Sequence, residues 1–76
     1  PSIELNARDE FDRTAFMVAC YYGQKDVVQL LLERWGPFID LNASDKYGET
    51  ALMKACNSYR NRKDVVKLLL EFSNNS

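Results

Sequence analysis

Cys20 and Cys56 are the residues of this chain with the widest chemical repertoire. A thiol can serve as a nucleophile once ionised, pair as a disulfide, or ligate a soft metal. The chain has no histidine, which removes the commonest general base and the commonest metal ligand. A zinc site would need two further ligands of the Cys or His type, and the sequence has none. The carboxylates Asp9, Glu10 and Asp12 stand close together but lack the bidentate Glu and the following ligands of a calcium loop, so they read as a solvated turn. Arg60, Arg62 and Lys63 form a basic cluster, yet Asp64 adjoins it and three cations make little electrostatic footprint on a phosphate backbone. They read as a solvated loop. No catalytic residue, cofactor site or metal site is therefore expected, and the chain is read as non-enzymatic.

The elements that position these residues come in duplicate. At an offset of 36, Ile3, Leu5, Asn6, Ala7 and Asp9 align with Ile39, Leu41, Asn42, Ala43 and Asp45. The match runs on through Thr14, Ala15, Met17, Ala19 and Cys20 against Thr50, Ala51, Met53, Ala55 and Cys56. Two extra residues between Asn57 and Arg62 move the offset to 38, after which Lys25 to Glu33 matches Lys63 to Glu71. Self-similarity at a fixed period marks a repeat architecture. The first copy covers about residues 3–38 and the second about 39–73, within one segment that spans the chain and closes on a polar tail at 74–76.

Each copy reads as a turn followed by two helices. Asp45 to Gly48 suits a tight turn with one residue at positive φ, and Asp12 stands where the first copy lacks that glycine. Thr14 and Thr50 are placed to cap helix N-termini. Ala15, Phe16 and Ala19, with Ala51, Leu52 and Ala55, fall at helical spacing and mix small with large side chains so that neighbouring helices can approach closely. Gly23 ends the first short helix, and Asn61 is the residue expected to take the left-handed stop in the second copy. Asp26 and Asp64 then sit near the positive end of a second helix whose Val27, Leu30 and Leu31 are expected to form its apolar face. Trp35-Gly36-Pro37 terminates that helix, with Gly36 suited to a chain reversal.

A turn with Asp and Gly, a capping Thr before a short Ala-rich helix, Gly, then Val-Val-x-Leu-Leu-Leu and Asp-Leu-Asn-Ala resembles the ankyrin repeat over nearly the whole chain. The period is close to that family's 33 or so residues. The resemblance implies an all-α fold of helix-turn-helix repeats stacked as a short solenoid, joined by β-turn or hairpin-like linkers. The family's Thr-Pro-Leu-His reads Thr14-Ala15-Phe16-Met17 and Thr50-Ala51-Leu52-Met53 here, so coupling between repeats is expected to be weaker or more purely hydrophobic. The linker Trp35 to Asp40 is enlarged. In both copies the resemblance places the cysteine at a small, buried core position.

Composition sets the remaining bounds. The chain has 76 residues, and its 46% apolar and 28% charged residues suit a folded globular segment of marginal stability. Ten basic against eleven acidic residues give a net charge of −1, with no electrostatic reason to expect nucleic acid or an anionic membrane as partner. No apolar run approaches the roughly 20 residues of a membrane helix. With only two cysteines and no disulfide framework, the expected setting is intracellular and cytoplasmic.

By resemblance, the chain is a protein-protein interaction module that meets a protein or peptide partner through turn tips and the concave face of the first helices. Carried over position by position, this implicates Arg8, Glu10, Phe11, Arg13, Tyr21 and Tyr22 in the first copy. In the second it implicates Ser44, Lys46, Tyr47, Glu49, Asn57 and Ser58. The aromatics among them either anchor a partner or cover the surface, and Trp35 with Phe38 either packs over the repeat junction, the favoured reading, or projects as an extra contact. The alternative function is a structural spacer within a longer array. Arrays generally need three or more repeats, so self-association over an open repeat face is also expected.

Overall fold

The threonines start the helices. Thr14 Oγ1 accepts from the Met17 amide at 3.2 Å, and Thr50 Oγ1 accepts from the Met53 amide at 3.3 Å. In the computed structural model, which describes residues 3–57 and 62–74, the element order is α1 (Ala15–Tyr21), α2 (Lys25–Trp35), a 3₁₀ turn (Gly36–Phe38), α3 (Ala51–Asn57) and α4 (Lys63–Asn74). No strand occurs among the described residues. Gly23, at φ 66°, ends α1, and the Gln24 amide donates back to the Ala19 carbonyl at 3.0 Å. Asp26 and Asp64 occupy the first turns of α2 and α4, where a carboxylate complements the helix dipole. Asn61 and Arg60 lie outside the described residues.

The two helical pairs stack side by side, α1 against α3 and α2 against α4. The face of the first pair that meets the second is here termed forward, and the face of the second pair that receives it is termed rear. Phe16, Met17, Cys20, Val28 and Leu32 of the first pair are buried, as are Ala51, Ala55, Val65 and Leu69 of the second. The repeats are alike in sequence but differ in burial by position. Met17 is 1% exposed, whereas its counterpart Met53 on the second copy's forward face is 47% exposed. Val65 is 1% exposed, whereas its counterpart Val27 on the first copy's rear face is 43% exposed.

This positional effect corrects the expected apolar face of α2. Val27 and Leu30 are exposed and Leu31 is half-buried, while Val28 and Leu32 make the buried face, because the partner helix α4 lies on that side only. It also separates the cysteines. Cys20 is fully buried, and loss of hydration pushes its thiol up to about 12. Cys56 is exposed, contrary to the core placement expected for both, because no described helix packs on its face.

Gly36 differs from expectation as well. Its φ of −45° is right-handed helical, so the glycine does not serve a reversal. A Cβ there would fall on the Phe72 ring, and the glycine is what lets α4 approach the end of α2. The enlarged linker is clamped by Asn6, whose Nδ2 donates to the Phe38 carbonyl at 2.9 Å and whose Oδ1 accepts from the Asp40 amide at 3.1 Å. Trp35 is half-buried and Phe38 exposed, with ring centroids 6.4 Å apart.

Two measurements check this asymmetry. Met17→Ala should cost about 2–5 kcal/mol in urea unfolding, the range for truncating a buried Met. Met53→Ala, the same substitution at the equivalent position, should cost under about 1 kcal/mol. In dilute native protein a disulfide-exchange reagent should label one thiol per chain rapidly, and Cys56→Ser should abolish that phase while leaving the slow labelling of Cys20.

Candidate functional site

Aspartates build the two turn tips in the same way. Asp9 Oδ1 accepts from the amides of Phe11 and Arg13 at 2.9 and 2.8 Å, and Asp45 Oδ1 accepts from those of Tyr47 and Glu49 at 2.9 Å each. Each of these side chains stands in for a backbone turn partner. Asp12 and Gly48 hold the left-handed position, at φ 65° and 78°. The Lys46 amide donates to the Phe11 carbonyl at 3.0 Å, and Arg8 Nη1 donates to the Ser44 and Asp12 carbonyls at 2.8 and 3.0 Å. The tips are thereby fastened edge to edge.

The charges that neutralise the two aspartates come from different places. In the first copy Arg13, from the same turn, grips Asp9 Oδ2 with Nε at 2.9 Å and Nη2 at 2.8 Å. The Arg13 amide leads in holding the Asp9 carboxyl below its ordinary range, and the bond to Asp9 in turn raises Arg13. The Arg13 guanidinium also lies 5.0 Å from the centre of the Phe11 ring. In the second copy the cation comes from a helix: Lys54 on α3 meets Asp45 Oδ2 at 2.5 Å and Glu49 Oε1 at 2.9 Å. Burial works against charge on Asp45, but the Lys54 ammonium and the amides of Glu49 and Tyr47 outweigh it and hold the carboxyl at about 2. Burial likewise opposes charge on Lys54, and its bonds to Asp45 and Glu49 override it, so that its pKa is raised. Asn57 Nδ2 completes the network with a 2.8 Å bond to Glu49 Oε2.

These groups border a groove of about 490 Å³ between α1, α3 and the second tip. Of the twelve residues singled out in the sequence, Arg13, Tyr21, Tyr22, Tyr47, Glu49 and Asn57 line it. Arg8, Glu10, Phe11, Ser44 and Lys46 stand exposed outside that lining, and Ser58 lies outside the described residues. Tyr22 and Tyr47 are largely exposed, and Tyr21 meets Tyr22 edge to face at 5.0 Å. Met17, Val18 and Lys54 also line the groove and were not singled out. Val18 and Met17 lie three and four residues before Tyr21, the spacing that puts helical side chains on one face, and Lys54 is the one charged residue in α3.

Arg62 departs from the solvated-loop reading. It is half-buried, its Nε donates to the Tyr21 carbonyl at 3.0 Å, and its side chain covers the space beside Gly23. It braces the end of α1 against the start of α4. Among the described residues no group of His, Cys, Asp and Glu is arranged to hold a metal ion, and no helix is long and apolar enough to cross a membrane.

Paired helices on tip-forming turns, duplicated and stacked in parallel, agree with a comparison against protein families: the model described as ankyrin repeats (3 copies) matches residues 2–76. The chain belongs to the ankyrin repeat family. No curated protein matches it. Ankyrin repeats are in general protein-protein interaction modules, and the family is in general non-catalytic. The ankyrin tips of this chain rest on aspartate turns, and the groove beside them is aromatic.

The Asp45 ion pair sets a pH dependence. Its folded pKa of about 2 lies below the ordinary 3.8, so the stability it confers is complete above that ordinary value and is lost as pH falls through about 2. Lys54 is raised above 10.5, so its share is complete below that value and is lost as pH rises beyond it. The melting temperature should therefore fall between about pH 4 and pH 2, and Asp45→Asn should flatten that fall while lowering the melting temperature at neutral pH.

Proposed function

We propose that this chain is a non-catalytic interaction module whose groove between α1, α3 and the second turn tip receives a protein or peptide partner. The observation that carries this reading is the convergence of Tyr21, Tyr22 and Tyr47 on one groove, with Tyr22 and Tyr47 largely exposed. Tyrosine joins a large apolar area to a polar tip and has few rotatable bonds, so it loses little entropy on being fixed by a partner. Around the tyrosines the cations and carboxylates largely neutralise one another: Arg13 is held by Asp9, and Lys54 by Asp45 and Glu49. That balance favours recognition by shape and aromatic contact over capture of a single charged group. The network also fixes the groove wall in advance, which lowers the entropy lost on binding.

A cytoplasmic setting accords with both cysteines being unpaired thiols. The net charge of −1 supports a protein partner over nucleic acid.

The test compares the chain with a Tyr22→Ala, Tyr47→Ala double variant in affinity capture followed by mass spectrometry. Hot-spot aromatics carry about 2 kcal/mol or more each on truncation, so a partner held by the parent chain should be lost from the variant. Both side chains are exposed, and the two proteins should melt at the same temperature. A partner retained equally by both would place the binding surface elsewhere.

A further inference from the structure

The junction inside the chain has two halves, and each outer end of the chain repeats one of them. On the forward side, Phe16, Met17, Cys20 and Leu32 are buried by the second copy, and their counterparts Leu52, Met53, Cys56 and Leu70 are exposed. On the rear side, Val65 is buried and Ile39 and Leu68 are half-buried, while their counterparts Val27, Ile3 and Leu30 are exposed. The exposed forward face is also indented between Leu52 and Leu70 by a cavity of about 340 Å³. We propose that two copies of this chain associate head to tail, the α3–α4 face of one seated on the α1–α2 face of the next, reproducing between chains the junction that each chain contains.

Charge supports the same occupant. Within the chain, Lys25 and Gln29 of α2 share a cleft with Asp64, Lys67 and Glu71 of α4. Transferred by the repeat, Lys63 and Lys67 of one chain face Asp26 and Glu33 of the next. The glutamine on the α2 side of the internal cleft is thus replaced by a lysine, and Lys67 on its α4 side by Gln29, so two cations on one chain face two acids on the next, and opposite charges across a contact fix its register. One contact does not carry over. The counterparts of Gly36 and Phe72 are Asn74 and Arg34, so the close approach of the Phe72 ring is missing between chains and the association is weaker than the internal junction. Since the two faces differ, the contact is heterologous and leaves a free face at each end, so it propagates instead of closing as a symmetric dimer.

Sedimentation velocity over a concentration series tests this, with Val27→Glu and Leu70→Lys disabling one face each. Both positions are exposed in the single chain, and circular dichroism checks that both variants fold; Leu30→Glu with Met53→Lys serves as a second pair. The parent chain should grow past two chains as concentration rises, and each variant alone should stay monomeric. An equimolar mixture of the two variants should form a two-chain species and stop, because each supplies the face that the other lacks. Labelling of Cys56 in the parent chain should slow several-fold over the same range and should not slow in Leu70→Lys. A parent chain that stays monomeric at its highest concentration overturns the proposal and leaves the face to another repeat or another protein. So does a variant that still dimerises alone, since that is the behaviour of a face pairing with itself.

Discussion

Within either copy the two helices can cover only part of their apolar surface, and what allows both to persist is the contact between the copies. Phe16, Met17, Cys20, Val28 and Leu32 on one side meet Ala51, Ala55, Val65 and Leu69 on the other. Large side chains stand on the forward side and the alanines of α3 on the rear. Two helices can then approach closely without leaving voids, and close packing of this kind is what makes interior contacts effective. Burying a side chain the size of Met or Leu contributes roughly 1.5–3 kcal/mol, so a handful of such residues is comparable with the whole stability of a small domain. The rest of the chain serves to hold this junction in register. Asn6 clamps the linker, Arg62 braces α1 against α4, and the space at Gly36 admits Phe72.

The tips are fastened by polar means. Amide-to-carboxylate bonds at Asp9 and Asp45 define each turn, and the bonds from Lys46 and Arg8 fix the spacing between the turns. The copies reach electrical balance differently, with Arg13 inside one turn and Lys54 from the neighbouring helix in the other. The second solution ties the tip to α3 and extends through Glu49 to Asn57, so one wall of the groove is rigid. Tyr21 and Tyr22 come from the end of α1, and Tyr47 from the tip itself. Apolar packing thus sets where the groove lies, and the charge network sets its shape.

Much of this was legible in the residue order. The offset of 36 and its shift to 38 delimit the copies, Thr14 and Thr50 cap the helices as their types indicate, and Asp12 takes the left-handed turn position opposite Gly48. These are local effects: a cap, a turn and a helical period each depend on residues within a few positions of one another. The groove was legible in part. The tyrosines follow from the resemblance to ankyrin repeats, whereas Lys54 belongs to the groove only because Asp45, nine positions earlier, points its second oxygen at it.

What the sequence determined by itself is the repeat unit: its turns, its helices, and the fact that both copies are built alike. What only the tertiary structure decided is which side of each copy is covered. Val27 and Val65 are the same residue in the same local setting, as are Met17 and Met53, Cys20 and Cys56, Leu32 and Leu70, and in each pair one side chain is buried or nearly so while the other is exposed. No local pattern can separate them, since hydrophobic burial depends on what stands opposite, and in a stack that is settled by position along the array.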